Sequence, residues 1–205
     1  MLTLRKLTLA LALTGLLSTP VLAETTVLAS LPITFGLSEL LLKDSGVKLQ
    51  RAAPANLPGS RQSAYFSGRG APALHTLATE ADAVIGLRSL WSDDPLYPMA
   101  RRSNIRIVEI DAARPVDGSL PGIAVQPGAH GDGLNSQPWL TSNNMGRMAD
   151  VIAADLVRLA PDAKPRIEAN LASLKQRLLK LSADSEAQLA QADNLSVVSL
   201  SDRLD

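Results

Sequence analysis

Ser136-Gln137-Pro138-Trp139-Leu140-Thr141-Ser142-Asn143-Asn144-Met145 leads directly into Met148-Ala149-Asp150-Val151-Ile152-Ala153-Ala154-Asp155-Leu156. The apolar residues of the second stretch have helical spacing, which predicts a helix over 144–157. A longer helix is predicted over about 161–189, where Ile167, Leu171, Leu174, Leu178 and Leu181 recur at steps of four and three. Such a stripe is expected to bury one side along the whole helix. It reads as a packing seam rather than a partner-binding coiled coil, because only about two heptads are sustained.

Upstream, short apolar runs alternate with helical patterns. Residues 26–29 predict a first strand, and Leu31-Pro32 opens a helix in which Phe35, Leu37, Leu40 and Leu41 share a side until Gly46 stops it. Val47, Leu49 and Ala52 predict a second strand, followed over 54–70 by a loop in which turn formers outnumber anything periodic. Leu74, Leu77, Ala78 and Ala81 then have helical spacing, 83–87 is a buried-strand candidate, Asp93-Asp94-Pro95 reads as a helix start, and 105–110 predicts a further strand. Strands alternating with helices imply an α/β fold with a parallel sheet covered on both faces. Residues 112–136 are rich in proline and glycine and read as a surface connection.

Composition restricts the compartment and the partners. Arg5 and Lys6, an apolar core over 7–17, Pro20 and Val21-Leu22-Ala23 form the pattern of a secretory signal peptide, so residues 1–23 are expected to be removed and the mature chain to start at Glu24. The apolar run is too short for a convincing membrane span. Cysteine is absent, which removes disulfides, thiolate metal sites and lipidation, and the expected location is the periplasm of a Gram-negative cell. The 20 basic and 20 acidic residues balance without a basic run, so nucleic acid is not an expected partner. Nothing resembles a nucleophile elbow, a Walker-type phosphate loop or a hydrolase constellation, so no enzyme activity is expected.

The segment around Gln137-Pro138-Trp139-Leu140, with the helix after it, resembles the lobe-connecting segment of the ZnuA-like family, the periplasmic zinc- and manganese-binding proteins of ABC importers. The resemblance implies a two-lobed solute-binding protein with a long bridging helix. Residues 24–135 would form the N-terminal lobe and its connecting loop, and residues 136–193 the bridging helical segment. Residues 194–205, including a strand over 195–200, would start the C-terminal lobe. The rest of that lobe is not in the 205 residues, so the second lobe is truncated: the chain is either part of a longer one or a shortened relative with a different use, and the first is favoured because a lone strand would leave an unpaired edge. An ABC permease in the inner membrane is the implied partner, and zinc or manganese the implied transported ligand.

Carried over position by position, the resemblance places the three family histidines at Ser63, in Gln62-Ser63-Ala64-Tyr65, at Gln137, and at Ser201, in Ser201-Asp202. All three metal-ligand histidines are thus replaced. Zinc is held by imidazole, thiolate or carboxylate, whereas neutral hydroxyls and amides are weak donors. Such a site is expected to bind free metal poorly and to hydrogen-bond a polar or chelated solute. Tyr65, Trp139 and Asp202 are further candidates for the pocket. His130 with Asp132 is a weak metal candidate in the connecting loop, and His75 reads as a structural, hydrogen-bonded histidine. The expected function is delivery of a metal-related solute to the permease. The alternative is a pseudo-binding protein that serves as an adaptor for a metal chelate together with a second, metal-binding protein.

Overall fold

The computed structural model describes residues 24–125 and 137–192. The expectations for residues 1–23, for the strand over 195–200, and for His130, Asp132, Ser201 and Asp202 lie outside the described residues.

Four parallel strands form the sheet: β1 Thr26–Ala29, β2 Lys48–Arg51, β3 Ala83–Gly86 and β4 Val108–Asp111. Their spatial order is β2-β1-β3-β4, with Val27 level with both Leu49 and Ala83, and Val84 level with Glu109. The two central strands are buried throughout, which explains their continuous apolar sequences. The outer strands carry Lys48, Arg51, Glu109 and Asp111, charges that discourage further pairing.

Strand alternation divides the core in two. Val27, Ala29, Ala83, Ile85 and Ile110 face α1 (Pro32–Leu42), α5 (Ser142–Leu159) and α6 (Lys164–Ala190), contributing to a core with Leu37, Leu41, Met148, Ile152 and Ile167. Leu28 and Val84 face α2 (Gln62–Ser67), α3 (Ala71–Glu80) and α4 (Leu96–Ala100), meeting Phe66, Leu74 and Leu96. Both faces are covered, as alternating strands and helices require. Helix α5 is therefore part of the first core. Asn170 on α6 donates from Nδ2 to the carbonyls of Leu41 and Lys43, both at 2.8 Å, satisfying acceptors left open at the end of α1.

Several expectations are corrected. The loop over 54–70 contains a short 3-10 turn, Gly59–Arg61, and all of α2, held by the burial of Phe66 and Gln62. The strand expected from residue 105 starts at Val108, because Asn104 fixes a turn there. Its Nδ2 donates to the carbonyls of Ala78 (3.0 Å) and Ala81 (2.8 Å), and its Oδ1 accepts from the Arg106 amide. On α1 the buried side is Thr34, Leu37, Ser38, Leu41 and Leu42, and Leu40 is exposed. On α6 the stripe is buried at Ile167 and Leu174 and partly buried at Leu171 and Leu178, but Leu181 is 54% exposed. A 3.6-residue helix drifts away from a four-three repeat, and by that turn Ser182 faces α5, with its Oγ 2.6 Å from Ser142 Oγ.

Candidate functional site

In the order β2-β1-β3-β4 the chain leaves β1 for one face of the sheet and β3 for the other, so a crevice opens beyond the carboxyl ends of these strands. Ligands of open parallel sheets bind at such a switch point. Here it holds two adjoining clefts of about 510 and 570 Å³, which share Gly59, Ser60 and Trp91 as a common wall.

The first cleft is built by the start of α1 (Leu31, Ile33), the Pro58 turn, Trp91, Gln137 and Trp139. Trp139 belongs to a 3-10 turn, Pro138–Leu140, directly before α5. Asn144, 5% exposed, holds that turn: its Nδ2 donates to the carbonyls of Pro138 and Ala124, both at 2.8 Å, while its Oδ1 accepts from the Ala124 amide at 3.0 Å. Thr141 caps α5 by accepting from the Asn144 amide at 3.2 Å, so the helix starts two residues earlier than its apolar pattern suggests.

Trp91 is fixed from below. The loop after β3 closes tightly, with the Trp91 amide donating to the Leu87 carbonyl (2.8 Å) and the Asp94 amide to the Trp91 carbonyl (2.8 Å). The Asp94 carboxylate, 2% exposed, accepts from the amides of Leu87 (2.8 Å) and Leu96 (3.1 Å). Burial pushes its pKa above the ordinary carboxylate range, and the two amide bonds pull it back only in part. Gly86 permits this packing, since a Cβ there would lie 2.7 Å from Asp94 Oδ2. Gly59 similarly permits the indole of Trp91 to lie against the chain, where a Cβ would come within 2.4 Å of the ring.

Ser63 is exposed on the first turn of α2 and lines the second cleft, with Ser92, Asp93 and Arg102 nearby. Gln137 lines the first cleft, so the two positions that the resemblance matched to ligands stand on either side of the Trp91 wall. Gln62, beside Ser63, is fully buried and donates from Nε2 to the Ser30 carbonyl at 3.1 Å, tying α2 to the end of β1. Tyr65 lines neither cleft. Its ring lies over Gly70, tilted against Phe66 at 5.5 Å between centroids. His75 is exposed on α3 and shares a 2.8 Å hydrogen bond with Ser103 Oγ through Nδ1. Among the described residues, no three His, Asp or Glu side chains converge. Sequence reasoning does not single out Asn144, Asp94 or Gln62, although Asn144 lies inside the decisive stretch and Asp94 inside a recognised helix start.

Comparison with known proteins agrees with this architecture. The zinc-bound AdcA of Streptococcus pneumoniae superimposes with a TM-score of 0.65 at 16% identity, over 89% of this chain and 36% of its own. A crystal structure of ZnuA gives 0.60 at 23% identity, over 83% and 62% of the two chains. The solute-binding protein FpvC of Pseudomonas aeruginosa, in complex with Ni2+, gives 0.63 at 20% identity, over 84% and 57%. This chain thus spans less than two thirds of each of these structures. No curated protein matches the sequence. The model of the family described as ZnuA, zinc-uptake complex component A, periplasmic, matches residues 78–203. That match covers more than half of the chain, including the Trp91 loop, the Trp139 turn and both long helices, and the chain belongs to the ZnuA family of solute-binding proteins.

Proposed function

We propose that this chain belongs to the periplasmic solute-binding component of an ABC-type metal uptake system, and that its site recognises a metal-related solute without binding the free ion through imidazoles. What supports this reading is the chemistry at the two matched positions, an amide at Gln137 in the first cleft and a hydroxyl at Ser63 in the second, where the carboxylates present are Asp93 and the amide-bonded Asp94 and where, among the described residues, no three His, Asp or Glu converge. Neutral donors of this kind do not compensate the charge of zinc or manganese. They suit a ligand whose own atoms coordinate the metal, and which asks the protein only for hydrogen bonds and contact surface. Ser201, matched to the third family histidine, continues the same chemistry. On this reading residues 24–135, with α5 packed into their core, serve as the N-terminal lobe, α6 as the bridging helix and 194–205 as the start of a second lobe. The protein performs no chemistry on its cargo and hands it to a permease in the inner membrane after export.

Calorimetry with zinc chloride tests this. Weak or absent heat supports the reading, and tight stoichiometric binding contradicts it.

A second reading, an adaptor that works with a metal-binding partner protein, is favoured by the far end of α6, where Leu179, Leu181 and Leu189 are 71%, 54% and 60% exposed. Permease and ATPase genes beside this one would favour delivery, whereas an adjacent gene for a histidine-bearing relative would favour the adaptor.

A further inference from the structure

The chain contains two tryptophans, and both line the first cleft. They reach it from distant parts of the sequence, Trp91 from the loop after β3 and Trp139 from the turn before α5. Buried polar side chains position both: Asp94 closes the loop that carries Trp91, and Asn144 holds the turn that carries Trp139. Gly59 leaves room for the first indole to approach the backbone closely.

The two indoles are not stacked on each other. Among the described residues the one ring-to-ring contact is that of Tyr65 with Phe66. Trp91 remains 39% exposed, a large apolar surface turned to an open cleft. Leu31 and Ile33 extend the apolar lining, and among the described residues that line this cleft none is charged, the charges of Asp93 and Arg102 lying in the adjoining cleft. Its polar side chains, among the described residues, are Ser60 and Gln137. At about 510 Å³ the open cleft has room for a small molecule, within the roughly 300–1,000 Å³ of such sites.

These features select a ligand. A charged ion or a strongly anionic solute would lose hydration against indole and aliphatic walls with no opposite charge to replace it. A flat, uncharged aromatic group instead gains stacking and apolar burial on indole faces, and its heteroatoms meet the hydroxyl and amide at the rim.

We propose that the cleft lined by Trp91 and Trp139 binds a flat, uncharged aromatic chelator, alone or as a metal complex that its own ligand atoms leave neutral. This rests on the proposed function above and names the class of solute: the chelator's nitrogen or oxygen atoms hold the metal, and the protein reads the aromatic plane.

The test uses 1,10-phenanthroline and 8-hydroxyquinoline, each alone, and the neutral zinc bis(8-hydroxyquinolinate), with zinc chloride as the comparison. Binding is followed by calorimetry and by quenching of indole fluorescence. At least one aromatic probe is expected to bind while zinc chloride gives no comparable heat. Trp91→Ala should weaken that binding at least about tenfold, and Trp91→Phe, which keeps a ring at the site, less than about threefold. Trp139→Leu should weaken it to a similar extent as Trp91→Ala. Since Trp91 is partly exposed, its variants are expected to fold, and Trp91→Phe keeps the test decisive if the alanine variant does not. Silence from both probes and from the neutral zinc complex, with zinc chloride also silent, overturns this inference and leaves the proposed function standing. Binding unchanged in Trp91→Ala and Trp139→Leu also overturns it. Tight binding of zinc chloride alone overturns the proposed function, and this inference with it.

Discussion

Replacing Asn144 with alanine should destabilise the protein more than its place at a helix start suggests. The side chain is 5% exposed and makes three hydrogen bonds outside its own helix, to Ala124 N at 3.0 Å and to the carbonyls of Ala124 and Pro138 at 2.8 Å. Each is worth about 0.5–1.5 kcal/mol net, with more lost wherever a buried partner is left unsatisfied. The sum is about 2–4 kcal/mol, a large part of the roughly 5–15 kcal/mol typical of a domain. With a urea slope of about 2 kcal/mol/M, a loss of about 3 kcal/mol lowers the unfolding midpoint by about 1.5 M. Asn144→Asp sharpens the test. Its carboxylate keeps the acceptor for Ala124 N but opposes the two carbonyls, which raises its folded pKa. A raised carboxyl contributes stability below the unfolded pKa of about 3.9 and loses it as the pH rises through the folded value. The aspartate variant should therefore fall further below the parent at about pH 7 than at about pH 4. Urea unfolding followed by far-UV circular dichroism measures both. A change of under about 0.5 kcal/mol for Asn144→Ala, the usual size at an uninvolved surface site, would refute the clamp.

On α6, Leu174→Ala should cost about 2–5 kcal/mol in the same assay, the range for a buried leucine, and Leu181→Ala under about 0.5 kcal/mol; equal losses would mean that the stripe is buried to its end. Asp94 has a folded pKa raised through burial, so its contribution to stability is full below the ordinary value of 3.8 and declines as pH rises through the folded value. The midpoint difference between parent and Asp94→Asn should thus shift in favour of the variant between about pH 3.5 and about pH 7, and a shift in the opposite direction would show that the two amide bonds outweigh burial. Export predicts a mature chain starting at Glu24 in the periplasmic fraction, checked by N-terminal sequencing, and retention of residues 1–23 on a membrane-bound protein would count against it.

What the sequence conveys and what it conceals have physical causes. Residues 83–86 and α5 can be read because a continuous apolar run and a helical period arise from burial on known faces. Helix α2 cannot. Gln-Ser-Ala-Tyr-Phe-Ser is too short to show a period, and it is stabilised from a distance by Phe66 in the core and by Gln62 bonded to Ser30. Ile105 and Ile107 alternate like a strand, yet the side chain of Asn104 imposes a turn, an instance of tertiary bonding overriding β-propensity. At the site, the family resemblance points to Gln137, Trp139 and Ser63, and each lines a cleft at the carboxyl ends of the strands. Trp91 stands out in the sequence only as one of few aromatic residues. Its role as the common wall depends on Gly59 and on the buried Asp94, which are brought together by loops that carry no periodic signal.

Zinc competition decides whether the proposed site captures the free ion. The parent chain and a variant carrying Ser63→His, Gln137→His and Ser201→His, both extended through any continuing reading frame, are titrated against a chromophoric zinc indicator. The parent should leave the indicator saturated, whereas the triple variant should withdraw zinc from it. Stoichiometric withdrawal by the parent, equal to that of the variant, would contradict a site built on hydroxyl and amide groups in place of imidazoles.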